Sequence, residues 1–163
     1  MPVEKVTPQS LALAADLLNR GQLVAFPTET VYGLGADAAN DLAVASIFET
    51  KGRPQFNPLI AHISDISWTQ RFAVMSPAAK KLAEKFWPGP LTMVMKKTPD
   101  SPISHLVSAG LDTVGVRFPA HPDAQKMLTA FGRPVAAPSA NISGTVSPTT
   151  AEHVAQGLGD KIP

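Results

Sequence analysis

The chain has 163 residues, no cysteine, a formal net charge of +1, and 44% apolar against 6% aromatic residues. That length predicts one domain with enough chain for a real core, and the charge supplies no bulk field toward nucleic acid or membrane, so any anion site must be local. Lack of cysteine excludes disulfides, thiolate catalysis and Cys-ligated zinc, and no window approaches the roughly 18 apolar residues of a membrane span, so a cytoplasmic protein without a membrane partner is expected.

Thr7 before Pro8 reads as a helix cap with proline at the first position, and Leu11, Ala14, Ala15 and Leu18 follow at helical spacing until Gly21. Leu23 to Phe26 reads as a short strand. It runs into Pro27-Thr28-Glu29-Thr30-Val31-Tyr32-Gly33-Leu34-Gly35-Ala36-Asp37, a polar, glycine-bearing stretch at a strand end, where open α/β sheets place ligands. Its glycines lack the spacing of a dinucleotide fingerprint, and a turn-forming polar loop is the competing reading. Asn40 or Asp41 caps a helix with Ala43, Val44, Ile47 and Phe48 on its inner side, and that helix delivers Lys51 and Arg53.

Lys51-Gly52-Arg53-Pro54 places a point charge and a planar fork two residues apart in a turn, which suits a polyphosphate. The plain alternative is a basic helix C-terminus that complements the macrodipole. Leu59 to Ile63 reads as a strand containing His62, a residue that packing alone can explain. Ser76-Pro77 starts a helix that Trp87-Pro88-Gly89-Pro90 ends, and Leu91 to Met95 makes another strand. Residues 98–112 lack periodicity and read as a mobile loop.

Thr113 to Phe118 reads as a strand on which Arg117 needs an anion, from the protein or from a ligand. His121-Pro122 opens a helix with Met127, Leu128 and Phe131, closed by Gly132, and Val135 to Ala137 is a very short strand. The following run, Pro138 to Thr150, is rich in hydroxyl side chains, carries one amide and has no acidic residue. It can cradle phosphate oxygens before a helix capped by Thr149 or Thr150, or serve simply as a connector. Several strand connections are too short for crossover helices, so the fold class is α/β with a mixed sheet.

Five blocks together resemble the YrdC/Sua5 family of threonylcarbamoyl-AMP synthases: Pro27 to Leu34, Lys51-Gly52-Arg53-Pro54 with Asn57-Pro58-Leu59, Trp87 to Thr92, Val116 to Pro119, and Ser139 to Gly144. Ser147 to Ala151 looks more like the long Sua5 form. The resemblance implies a twisted mixed sheet flanked by helices, with a concave basic cavity, in a single domain over residues 1–163. It also implies formation of threonylcarbamoyl-AMP and pyrophosphate from L-threonine, bicarbonate or CO2, and ATP with Mg2+, for modification of tRNA at position 37.

By the same resemblance, Lys51, Arg53, Ser139 and Asn141 form a catalytic tetrad. Nucleotide binding falls to these four with Asn57, Thr113 and Ser147, and threonine binding to Thr30, His62, Arg117 and the backbone near Ala137. Implied partners are the substrates, downstream proteins of the tRNA modification, and a contact with tRNA or double-stranded RNA. Family members continue past the region matching residues 157–163 with a Glu-Ser-Thr strand, an arginine, a linker and a second small domain, so an incomplete catalytic domain is expected. Two alternatives stand beside the synthase: an RNA-binding module, against which low charge and few aromatics weigh, and a carbamoyl-adenylate-forming carbamoyltransferase-type domain, whose usual chains carry zinc-finger or metal motifs.

Overall fold

A computed structural model describes residues 2–163. Thr7 and Ser10 exchange backbone and side-chain hydrogen bonds of 2.9 and 3.1 Å, a capping box that starts helix α1 (Pro8–Asn19). Strands β1 (Val24–Phe26) and β2 (Gly33–Asp37) form an antiparallel pair, with Phe26 opposite Gly33. Asn40 caps α2 (Asp41–Lys51) by accepting from the amides of Leu42 and Ala43, and Gly52 ends it in the left-handed region at φ 61°. The chain continues through β3 (Ile60–His62), α3 (Pro77–Phe86), β4 (Thr92–Lys96), β5 (Thr113–Arg117), α4 (Pro122–Phe131), β6 (Val135–Ala137) and α5 (Ala151–Leu158).

The six strands form one mixed sheet in the order β1-β2-β6-β3-β5-β4, in which only β3 and β5 run parallel. Alternation of side chains divides it into two faces. Leu34, Ala36, Ala136, Ala61, Val114, Val116, Met93 and Met95 point to one side, where α2 and α3 cover them with Val44, Ile47, Phe48, Ala79 and Ala83. On the other side Phe26, Val135 and Ala137 meet Ala15 and Leu18 of α1 and Ala124, Met127, Leu128 and Phe131 of α4. That second layer stops at β6. Beyond it Val94 is 72% exposed, while Ile60, Thr92, Thr113 and Gly115 are half-buried. The same face is therefore a packed core at one end and a half-open floor at the other, and the buried His62 and Arg117 lie between the two.

Two segments differ from their sequence reading. Gly33 to Asp37, expected as part of a polar loop, is a fully buried strand. Its glycines make room rather than turns: a Cβ on Gly35 would lie 2.7 Å from Val135 Cγ1 and 2.9 Å from Phe26 Cε1. Residues 98–112, expected to be mobile, are tied down. Ile103 and Val107 are buried in the core, the Leu59 amide donates to the Val107 carbonyl at 2.8 Å, and the Ser104 amide donates to the Ala38 carbonyl at 2.9 Å. Lack of periodicity marked an irregular surface path anchored in the core at Ile103 and Val107.

Candidate active site

Two clusters meet along residues 28–34. The first is built on Arg117, the last residue of β5. Its side chain is 10% exposed, and three of its nitrogens have partners: Nη2 donates to Glu29 Oε1, Nη1 to Thr30 Oγ1 at 3.2 Å, and Nε to the Gly89 carbonyl at 3.4 Å. Gly89 must lack a side chain, since a Cβ would sit 2.3 Å from the Phe86 carbonyl oxygen. Glu29 also accepts from the Ala120 amide at 2.7 Å through Oε2. Burial works to raise the Glu29 carboxyl pKa, but that amide and the Arg117 guanidinium outweigh it and hold the group below the usual carboxylate range.

The anion that a strand arginine needs is thus supplied by the protein. Glu29 was not among the expected site residues, although the charge on Arg117 was the signal that a partner had to exist.

Beside Arg117 in register lies His62, 4% exposed, its Nδ1–H donating to the Ile60 carbonyl at 3.0 Å. The ring meets Phe26 edge-on, with centroids 5.7 Å apart. Burial, reinforced by the Arg117 charge, pushes its pKa down to about 4, so the imidazole is neutral at pH 7. Ala137, buried at the end of β6, closes this corner opposite Ile60.

The second cluster joins the end of α2 to the hydroxyl-rich loop after β6. Lys51 is 1% exposed, and its ammonium donates to the carbonyls of Ser139 and Asn141. Burial first, then the Arg53 charge, lowers its pKa to about 8. The Lys51 carbonyl accepts from the Ser143 amide at 2.8 Å, so both ends of this residue hold the same loop. The Lys51 charge is thus turned inward onto the loop carbonyls of Ser139 and Asn141.

Arg53 is half-buried, donates to the Pro58 carbonyl through Nη2 at 3.1 Å, and has a buried Nε without a partner. Asn141 Nδ2 donates to the carbonyls of Ile142 and Thr145 at 2.9 and 3.0 Å. Only an NH2 group can serve two carbonyls, so the amide orientation is fixed. Its Oδ1 is consequently a buried acceptor with no partner, a place that suits a hydroxyl, an N–H or a cation and not a bare phosphate oxygen.

Residues 32–34 stitch the clusters together. The Tyr32 carbonyl accepts from the Ala140 amide at 2.8 Å, the Leu34 amide donates to the Pro138 carbonyl at 2.9 Å, and the Tyr32 amide donates to the Pro148 carbonyl at 2.8 Å. Gly33 and Ser139 form a β-bridge. Lys51, Arg53, Ser139 and Asn141 are therefore neighbours, with Thr30 and Arg117 one short segment away. Ser147 is half-buried on the same loop beside Pro148. Thr113 lies four residues before Arg117, at the far end of β5 on the same face, and Asn57 closes a turn by donating its amide to the Pro54 carbonyl at 3.2 Å. Among the described residues no hydrogen bond ties either of them to the tetrad.

Comparison with known proteins gives this arrangement a lineage. Residues 16–163 match the family model Sua5/YciO/YrdC, described as telomere recombination. The chain belongs to the Sua5/YciO/YrdC family. Family relatives include the threonylcarbamoyl-AMP synthase of Pyrococcus abyssi, 51% identical over 160 residues that make up 98% of this chain and 46% of the relative. That of Bacillus subtilis is 53% identical over 153 residues, 93% of this chain and 44% of the relative. A solved structure of P. abyssi Sua5 complexed with L-threonine superposes with a TM-score of 0.93 at 50% identity, covering 98% of this chain and 47% of that one. The chain thus spans less than half the length of these family members. Among the described residues no helix is long and apolar enough to cross a membrane.

Proposed function

We propose that the chain is an L-threonylcarbamoyladenylate synthase acting in the threonylcarbamoyladenosine modification of tRNA. The observation that carries this is the contiguity of the two clusters: an amino-acid corner at Arg117, Thr30 and His62 is joined through Tyr32–Leu34 to the Lys51, Arg53, Ser139 and Asn141 cluster. Relatives of about half identity bear the synthase name, and one of their structures holds threonine.

In this scheme the threonine amine adds to CO2 and loses a proton, giving N-carboxythreonine. A carbamate oxygen then bonds to the α-phosphorus of ATP while the bond to pyrophosphate breaks, and Mg2+ enters with ATP as part of the substrate. Attacker and triphosphate are both anions, so catalysis consists mostly of positioning and charge neutralisation. Arg53, half-buried and bonded through Nη2 to the Pro58 carbonyl, is the cation for the phosphate tail. The loop held by Lys51 presents Ser139 and the free Asn141 Oδ1, which suits a ribose hydroxyl or the Mg2+ of the nucleotide. Neutral His62 stiffens the floor beneath the amino acid without adding charge.

Mass spectrometry of the 163-residue chain with ATP, Mg2+, L-threonine and bicarbonate tests the proposal. Threonylcarbamoyl-AMP should accumulate with stoichiometric pyrophosphate. Pyrophosphate release that ignores threonine, or threonine binding without ATP-dependent product, overturns it.

A further inference from the structure

The ion pair at the end of β5 bears on how the amino acid is recognised. An incoming carboxylate does not meet a free cation there: Arg117 is 10% exposed and already opposed by Glu29, whose side chain is the more open of the two at 23%. The pair as a whole is neutral. It offers little to a monoanion and much to a molecule bearing both charges on groups attached to one carbon. Hydrogen-bonding capacity agrees. Three of the five guanidinium N–H groups are used, leaving two, and each Glu29 oxygen accepts one bond in the structure and can accept another.

Resting on the amino-acid reading above, we propose that Glu29 is a substrate-binding residue: the Glu29–Arg117 pair receives a zwitterion, Arg117 taking the α-carboxylate and Glu29 the α-ammonium. Glu29 then selects for a free amino group, the group that must later lose a proton to form the carbamate. Its lowered pKa keeps it ionised as a counter-ion at neutral pH rather than making it a strong base. Thr30, bonded to Arg117 and at 3.0 Å from Thr28 Oγ1, sets the edge of the guanidinium that remains available.

Calorimetric titration of L-threonine and of 3-hydroxybutanoate, which keeps the carboxylate and β-hydroxyl but lacks the amine, tests this with the wild-type chain and with Glu29→Gln. Wild type should prefer threonine by at least about tenfold, the scale of one charge-assisted hydrogen bond. Glu29→Gln should erase that preference by weakening threonine while holding or strengthening the monoanion, because Arg117 is no longer neutralised. A purely structural pin would weaken both ligands together, and that result overturns the proposal. Equal wild-type affinities for the two ligands also overturn it, with no variant needed should Glu29→Gln fail to fold. Wild-type failure to bind threonine at all sinks the amino-acid reading itself, an outcome distinct from binding that is indifferent to Glu29.

Discussion

Replacing Lys51 by methionine separates a loop clamp from a phosphate ligand. Methionine keeps most of the aliphatic stem and removes the ammonium, so the carbonyls of Ser139 and Asn141 lose their donor. Each buried carbonyl left unpaired costs about 1–3 kcal/mol, or roughly 2–6 kcal/mol for the two. Methionine also spares the chain the cost of holding a charge out of water, the cost that lowers the Lys51 pKa to about 8, which returns roughly 1–3 kcal/mol. A net loss of about 2 kcal/mol is expected, shifting the urea midpoint down by about 1 M.

The damage should be local first. Ser143, whose amide donates to the Lys51 carbonyl, and Ala140, whose amide donates to Tyr32, should lose hydrogen-exchange protection before Val116 in the sheet. If Lys51→Met leaves the midpoint and both amides unchanged yet abolishes pyrophosphate release, the ammonium acts on the nucleotide directly and the clamp argument fails.

Asn141→Asp places an acceptor against the Ile142 and Thr145 carbonyls, and should weaken ATP at least about tenfold while sparing threonine; titration with each ligand reads the split. Gly35→Ala drives a methyl into Val135 and Phe26, and calorimetric melting should show a loss of about 1–3 kcal/mol. Neutral, buried His62 stabilises the fold fully above pH 6.5, and this contribution is lost as pH falls from there through about 4, because only the unfolded chain takes up the proton in that window. Urea midpoints should therefore drop by an amount worth roughly 3 kcal/mol between pH 7 and 4, and His62→Gln should flatten that part of the profile.

The helices were legible because their signals are local: Thr7-Pro8, Ser76-Pro77 and His121-Pro122 each fix a cap by adjacent residues, and all three start helices in the structure. Strand β2 was not, because its reason is non-local. Gly33 and Gly35 look like turn residues until Phe26 and Val135, far apart in sequence, are laid over them. The same holds at the site. Residue types that attract anions mark Lys51, Arg53 and Arg117 in the sequence, but what Lys51 and Arg117 face depends on partners 88 to 90 positions away. Glu29 was hidden for that reason: one acidic residue in a polar stretch gains meaning only beside the end of β5.

These partners also bear on the proposed reaction. Lys51 is matched by loop carbonyls, Arg117 by Glu29 and Arg53 in part by Pro58, so each cation arrives already held by the protein. With a net charge of +1 there is little long-range pull on any anion, and in the proposed reaction affinity for ATP comes from short, oriented contacts made after water leaves. Contacts of that kind are screened weakly by salt. Preorganised dipoles and paired charges also need little rearrangement when two anions are brought together at the α-phosphorus, which is the physical demand of the proposed reaction.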